Sequence, residues 1–174
     1  MKLIARTTGV FYLLNIVAIL LSISVFRGSA AAMPLKVIST ACSIVVAALL
    51  YEILRPVNEP VSLVAAFFRL TACAVALVGY VYQPASRIVI ILFGFHFIPL
   101  GYLISRSGFL PRWLGRLVAV VGVCCLVFLA PALGTLLFPY FVALGLVAEL
   151  SLTACLLLTS EHPTSRNIAI TPKA

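Results

Sequence analysis

A bundle of six membrane-crossing helices is the fold this sequence predicts, and three observations predict it. Hydrophobic residues make up 64% of the 174 positions and charged residues only 9%. A soluble globular domain is about 45–50% apolar. The apolar residues also gather into six runs of the length a bilayer crossing needs, about 20 residues each, and polar or Pro- and Gly-bearing turns separate them.

The first run extends from about Thr7 to Phe26. Lys2 and Arg6 precede it, and Arg27-Gly28-Ser29 with Ala30 to Ala32 follow it, a pattern that signal peptides share. It exceeds the roughly 7–15-residue apolar core of a signal peptide and carries Asn15 at its centre, so a retained helix is expected. The second run is about Val37 to Leu54, closed by the turn Arg55-Pro56-Val57-Asn58-Glu59-Pro60, and the third is about Val61 to Val81, closed by Gln83-Pro84. The fourth is about Arg87 to Ile104 and contains Pro99, which cannot donate a backbone hydrogen bond and is expected to bend the helix. The fifth is about Leu114 to Ala130. Pro131, Gly134 and Pro139 are read as the break before the sixth, about Pro139 to Leu158. Residues 1–160 thus form one transmembrane domain, and 161–174, rich in Thr, Ser and Pro, read as a disordered tail.

Orientation follows from the Lys and Arg residues in the short connections, which are enriched on the cytoplasmic side. With the N-terminus inside, Lys2, Arg6, Arg55, Arg106, Arg112, Arg116, Arg166 and Lys173 fall inside and only Arg27, Lys36 and Arg87 outside. Both termini are expected to be cytoplasmic, in a multi-pass protein of a cell membrane. This scatter over helix ends also accounts for the net charge of +8 without a nucleic-acid partner, which would call for a basic face with interleaved aromatics.

Arg69, His96 and Glu149 each interrupt a different apolar run. A charge at the bilayer centre costs about 2.5–3.5 kcal/mol on insertion scales, so such groups ordinarily face a protein interior and mark a site. At 1.5 Å per residue they lie roughly 12, 13 and 15 Å into spans three, four and six. Asn15 in span one reaches a similar depth. The expected arrangement pairs Arg69 with Glu149 and lets His96 hydrogen-bond to Glu149. Glu52, a turn from the end of span two, is either an interfacial residue facing Arg55 or Arg116 or an inner gate to the site. The bland alternative for the whole set is a structural clasp; interhelical polar contacts in membranes average only about 0.6 kcal/mol, which makes a clasp a weak stabiliser and favours a ligand, proton or catalytic site.

Several chemistries are excluded. The acids are Glu52, Glu59, Glu149 and Glu161, with no Asp anywhere, so neither a Ser-His-Asp triad nor an Asp-rich magnesium site exists. His96 is the one membrane-embedded His, which leaves a zinc hydrolase without its three ligands. Cys42, Cys73, Cys124, Cys125 and Cys155 all lie in apolar runs with no C-x-x-C spacing, where Cys acts as a small hydrophobe. No metal or cofactor is expected. Three function classes stay open: a midplane pocket binding or moving a small or amphiphilic ligand or protons; a metal-free acid/base enzyme on a lipid-like substrate, with His96 and Glu149 as candidate catalytic residues and Arg69 as anion holder; and a non-catalytic subunit packed on a membrane partner or on its own copies.

The stretch Phe93-Gly94-Phe95-His96, Leu100-Gly101-Tyr102-Leu103, Arg106-Ser107-Gly108-Phe109-Leu110-Pro111-Arg112 and Leu114-Gly115 resembles the bacterial membrane family known as domain of unknown function 4386. Ala5-Arg6, Gly9, Tyr12-Leu13-Leu14, Phe68-Arg69 and Glu149 are similar too. The resemblance implies a six-helix integral membrane protein, with bacterial inner membrane as its location, and implies no particular reaction. Its connections between spans one and two and spans three and four are short for that family. In its most specific turn, Gly108 and Pro111 are expected to reverse the chain while Arg106, Arg112, Arg116 and Trp113 anchor it at the headgroups.

Overall fold

The computed structural model describes the backbone of residues 2–26, 29, 31–82 and 86–158. The Gln83-Pro84 turn and the tail at 161–174 lie outside the described residues. Six α-helices follow one another: α1 Lys2–Ser24, α2 Ala32–Leu54, α3 Glu59–Tyr82, α4 Ser86–Ser107, α5 Arg112–Leu126 and α6 Pro131–Leu158, with a 3-10 turn at Val127–Leu129. No strand occurs among the described residues. All six helical segments are long and apolar enough to cross a membrane; a helix of 23 residues, such as α1, rises about 35 Å against a hydrocarbon core about 30 Å thick.

Each helix packs on its neighbours in sequence and α6 returns to α1, so the bundle closes into a ring, with α2 also touching α4 across the interior. The C-terminal ends of α1, α3 and α5 lie on one face of the ring and those of α2, α4 and α6 on the other. Leu50, Leu54, Leu100, Leu103, Ile104, Leu114, Val118, Leu152 and Leu156 fill the half nearer the chain ends. Outward-facing Leu63, Phe67, Val78 and Val147 remain exposed, as helices solvated by lipid require.

The tightest seam lies between α4 and α5. Gly94 faces Gly122 and Gly101 faces Gly115, two pairs of glycines seven residues apart running in opposite directions. A Cβ built on Gly101 would stand 2.5 Å from the Gly115 carbonyl oxygen, and one on Gly94 would stand 2.9 Å from that of Gly122. Without a water-driven hydrophobic force between helices, close backbone approach and dispersion hold such pairs. The turn that joins them behaves as its residues dictate: Gly108 takes φ +71°, a left-handed value that glycine adopts without steric cost, and Pro111 is extended immediately before α5. Arg112, Trp113 and Arg116 are exposed there, and the Arg106 guanidinium lies 5.6 Å from the Tyr102 ring centroid.

Helices α1 and α2 begin a turn or more before the apolar runs read from the sequence, and the break before α6 falls elsewhere than expected. The sixth helix begins at Pro131, not near Pro139, and runs through position 139 unbroken. Pro131 occupies the first helical turn, where the missing N–H has no intrahelical partner to lose. The break falls instead at the 3-10 turn, where Phe128 packs on Gly134, to which an added Cβ would come within 2.9 Å. Pro99 likewise lies within a continuous α4.

Candidate functional site

Arg69, on α3, is the largest fully buried side chain of the described core, and α1, α2 and α4 each supply it with a partner. Its Nε donates to the Ser43 hydroxyl at 3.1 Å and to the Ser43 carbonyl at 3.3 Å. Its Nη1 donates to the Tyr12 hydroxyl at 3.0 Å and meets His96 Nε2 at 3.1 Å. Aromatic faces complete the enclosure: the guanidinium carbon is 4.9 Å from the Tyr12 ring centroid and 5.9 Å from that of Phe93. Such contacts are strongest when desolvated. The second terminal nitrogen, Nη2, is buried and has no hydrogen-bond partner.

The hydrogen bonds determine the tautomer of His96. Arginine only donates, so Nε2 must accept, and the ring proton therefore sits on Nδ1, which donates to the Ala65 carbonyl at 2.8 Å. His96 is a neutral imidazole that ties α4 to α3 and orients Arg69, with both ring nitrogens engaged.

Glu149, on α6, stands apart from this cluster. It makes neither the ion pair with Arg69 nor the hydrogen bond with His96 that its depth suggested; Ser43, Tyr12 and His96 take the Arg69 donors instead. No hydrogen bond joins the Glu149 carboxyl group to any described residue. That group opens onto two adjoining cavities. One, of about 240 Å³, is lined by Asn15, Ser39, Thr40, Ser43, Tyr80 and Glu149 among others. It extends from the midplane toward the α1–α2 corner. The second, of about 280 Å³, is apolar and is walled by α1, α4, α5 and α6, with Ile23, Phe128, Phe141, Val142 and Gly145 in its lining. Ile19, Phe93 and Glu149 line both. Arg69 lines neither; Phe93, against which the guanidinium rests, does.

The polar cavity has its own hydrogen-bond order. Ser39 donates to Asn15 Oδ1 at 2.5 Å. Thr40 donates to the Lys36 carbonyl at 2.9 Å, so the Tyr80 hydroxyl, 3.1 Å away, donates to Thr40. The Lys36 ammonium lies 5.7 Å from the ring centroid of Tyr80, which lines this cavity.

Of the residues singled out from sequence, Arg69 and His96 are in direct contact, Asn15 and Glu149 line the polar cavity, and Glu52 belongs to neither group. Glu52 is exposed near the end of α2, and Arg55 pairs with Glu59 at 3.0 Å. Tyr12 and Ser43 escaped notice as site residues. Their depth was the available signal: both fall near the middle of their helices, α1 and α2.

A closed ring of six membrane helices with a polar layer at half depth defines a multi-pass integral membrane protein. The chain belongs to the family described as domain of unknown function 4386, whose profile matches residues 30–86 and 81–159. It is similar to an uncharacterized protein of the archaeon Archaeoglobus fulgidus, 31% identical over 84 residues, which are 44% of this chain and 52% of that protein. The chain thus spans about half the length of this curated relative. No solved structure matches.

Proposed function

We propose that this membrane protein binds an amphiphilic molecule, with its polar end in the Asn15–Ser43–Tyr80–Glu149 cavity and its apolar chain in the neighbouring cavity against Phe128, Phe141 and Gly145. The observation that carries this reading is the position of Glu149 in the lining of both a space that carries several polar side chains and an apolar one. Each space alone falls short of the roughly 300 Å³ at which pockets begin to accept drug-sized ligands, and the two together exceed it. Ile23 and Val142, in the apolar lining, are 48% and 45% exposed on the lipid-facing surface, which supports entry of the chain sideways from the bilayer. The acid/base enzyme has less support, because His96 has no free ring nitrogen to exchange a proton with Glu149. The Lys and Arg balance supports cytoplasmic termini, which in a bacterial cell would turn the polar cavity toward the outside of the inner membrane; a fluorescent reporter on either terminus reads that orientation directly.

Gly145 supplies the test. A Cβ added there meets nothing within 4 Å, so Gly145→Leu fills the apolar cavity without forcing the helices apart. Native mass spectrometry of protein released from nanodiscs should find one amphiphile retained by the wild type and lost from Gly145→Leu at unchanged thermal stability. Equal retention by both proteins would refute the site.

A further inference from the structure

We infer that a second site, separate from the midplane cavities and independent of what they bind, takes the phosphate head of an acidic membrane lipid. It is a groove of about 450 Å³ between two turns of the chain. Pro56 and Val57 of the α2–α3 turn form one wall, and Tyr102, Arg106, Ser107 and Phe109, from the end of α4 and the turn after it, form the other.

The charge of the groove is all of one sign. Arg106 is the one charged residue in its lining. It pairs with no acid: the ion pair among the described residues is Arg55 with Glu59. The Arg106 guanidinium also makes no hydrogen bond to a described residue; its contact is with the Tyr102 ring, whose centroid is 5.6 Å away. That contact covers a face of the guanidinium and leaves the N–H edge unspent. A cation at a helix C-terminus has a plain structural use, since it offsets the partial negative charge there. Such a use needs neither a groove nor an unpaired fork.

The backbone adds donors of its own. At φ +71° Gly108 turns the chain out of α4, and the N–H groups of Phe109 and Leu110 that follow donate to no described residue. The Ser107 hydroxyl is already committed to the Ile104 carbonyl at 2.8 Å. A guanidinium fork beside two successive free N–H groups is a receptor for an anion with several oxygens, and phosphate matches the fork in two places at once.

Depth selects the source of that phosphate. Arg106 lies in the last turn of α4, at the edge of the fourth membrane span, which is the level of lipid head groups. Tyr102, one turn deeper, is 44% exposed toward the lipid, so an acyl chain can run along it while the head sits against Arg106.

The test is native mass spectrometry of the full chain released from phosphatidylcholine nanodiscs that contain dioleoyl phosphatidate. The wild type should retain phosphatidate at least about tenfold over phosphatidylcholine, whose phosphate is offset by its own cation. Arg106→Lys keeps the charge and loses the fork, so this preference should fall about tenfold. Arg112→Gln removes a charge from the same exposed turn, outside the groove lining, and should keep the preference. Both variants change exposed side chains, and their thermal midpoints should match that of the wild type. A wild type without preference, an unchanged preference in Arg106→Lys, or an equal loss in the two variants would overturn the site in favour of diffuse charge attraction. Glycerol 3-phosphate, the same head without acyl chains, should neither be retained nor displace phosphatidate. Displacement at equal concentration would overturn the lipid as occupant and assign the groove to a soluble phosphate ester.

Discussion

At the residue scale, Arg69 is held by a division of labour that the hydrogen bonds make explicit. Three helices supply acceptors to three of its N–H directions, and the ring of Tyr12 covers its face. Interhelical hydrogen bonds in membranes average about 0.6 kcal/mol each, so Tyr12→Phe, which keeps the aromatic face and removes one acceptor, should cost about that much. Arg69→Lys should cost more, about 1–2 kcal/mol, because one ammonium cannot reach Ser43, Tyr12 and His96 together. Unfolding equilibria in bicelles measure both, and a larger loss in Tyr12→Phe than in Arg69→Lys would contradict this assignment. Arg69 and His96 were legible in the sequence because hydrocarbon makes any ionisable group conspicuous. Tyr12 and Ser43 were not, because a hydroxyl at membrane depth is common and cheap. The expected Arg69–Glu149 contact failed for a geometric reason. Counting 1.5 Å per residue gives depth, whereas contact also needs the rotation of each helix about its axis, which turns by about 100° per residue and is set by packing.

At the scale of elements, six apolar runs translated into six helices because a backbone in lipid has to satisfy its own hydrogen bonds, and a single-segment helix does so. The sixth apolar run agrees with the membrane-crossing part of α6, Tyr140–Leu158. The helix itself continues back to Pro131 because Pro131 fits a first helical turn and Pro139 is tolerated inside a membrane helix. The α4–α5 seam was written in the sequence as two glycine pairs of equal spacing, Gly94 and Gly101 against Gly115 and Gly122. Its meaning emerged only once the two helices were known to run antiparallel and face to face. Any side chain at Gly101 must push α5 away, since its Cβ would fall 2.6 Å from the Ala119 nitrogen. Overpacking of this kind costs about 1–3 kcal/mol. Gly101→Val should lower the thermal midpoint well below that of the wild type, while Gly145→Ala, with open space around it, should leave the midpoint unmoved. Equal behaviour of the two variants in a thermal-shift assay would show that the seam is not closely packed.

For the whole molecule, the ring closure of α6 on α1 divides the interior into two unequal halves. Toward the C-terminal ends of α2, α4 and α6, leucines from α2, α4, α5 and α6 form a packed apolar core. Toward the α1–α2 corner the packing opens into the two cavities that meet at Glu149. The Arg69 cluster lies where these halves join and holds α1, α2, α3 and α4 in register around the polar cavity, while α6, which carries Glu149, stands outside that network. Glu149, unlike Arg69, lines both cavities, and its carboxyl group has no hydrogen bond to any described residue. The most direct measurement is photo-crosslinking with 1-oleoylglycerol bearing a diazirine at the end of its chain, followed by peptide mapping. Labels concentrated on the α6 segment from Phe141 to Leu146 and on α5 near Cys125 would agree with a chain seated in the apolar cavity. Labels confined to the outer surface of α3, at Phe67 and Val78, would contradict it.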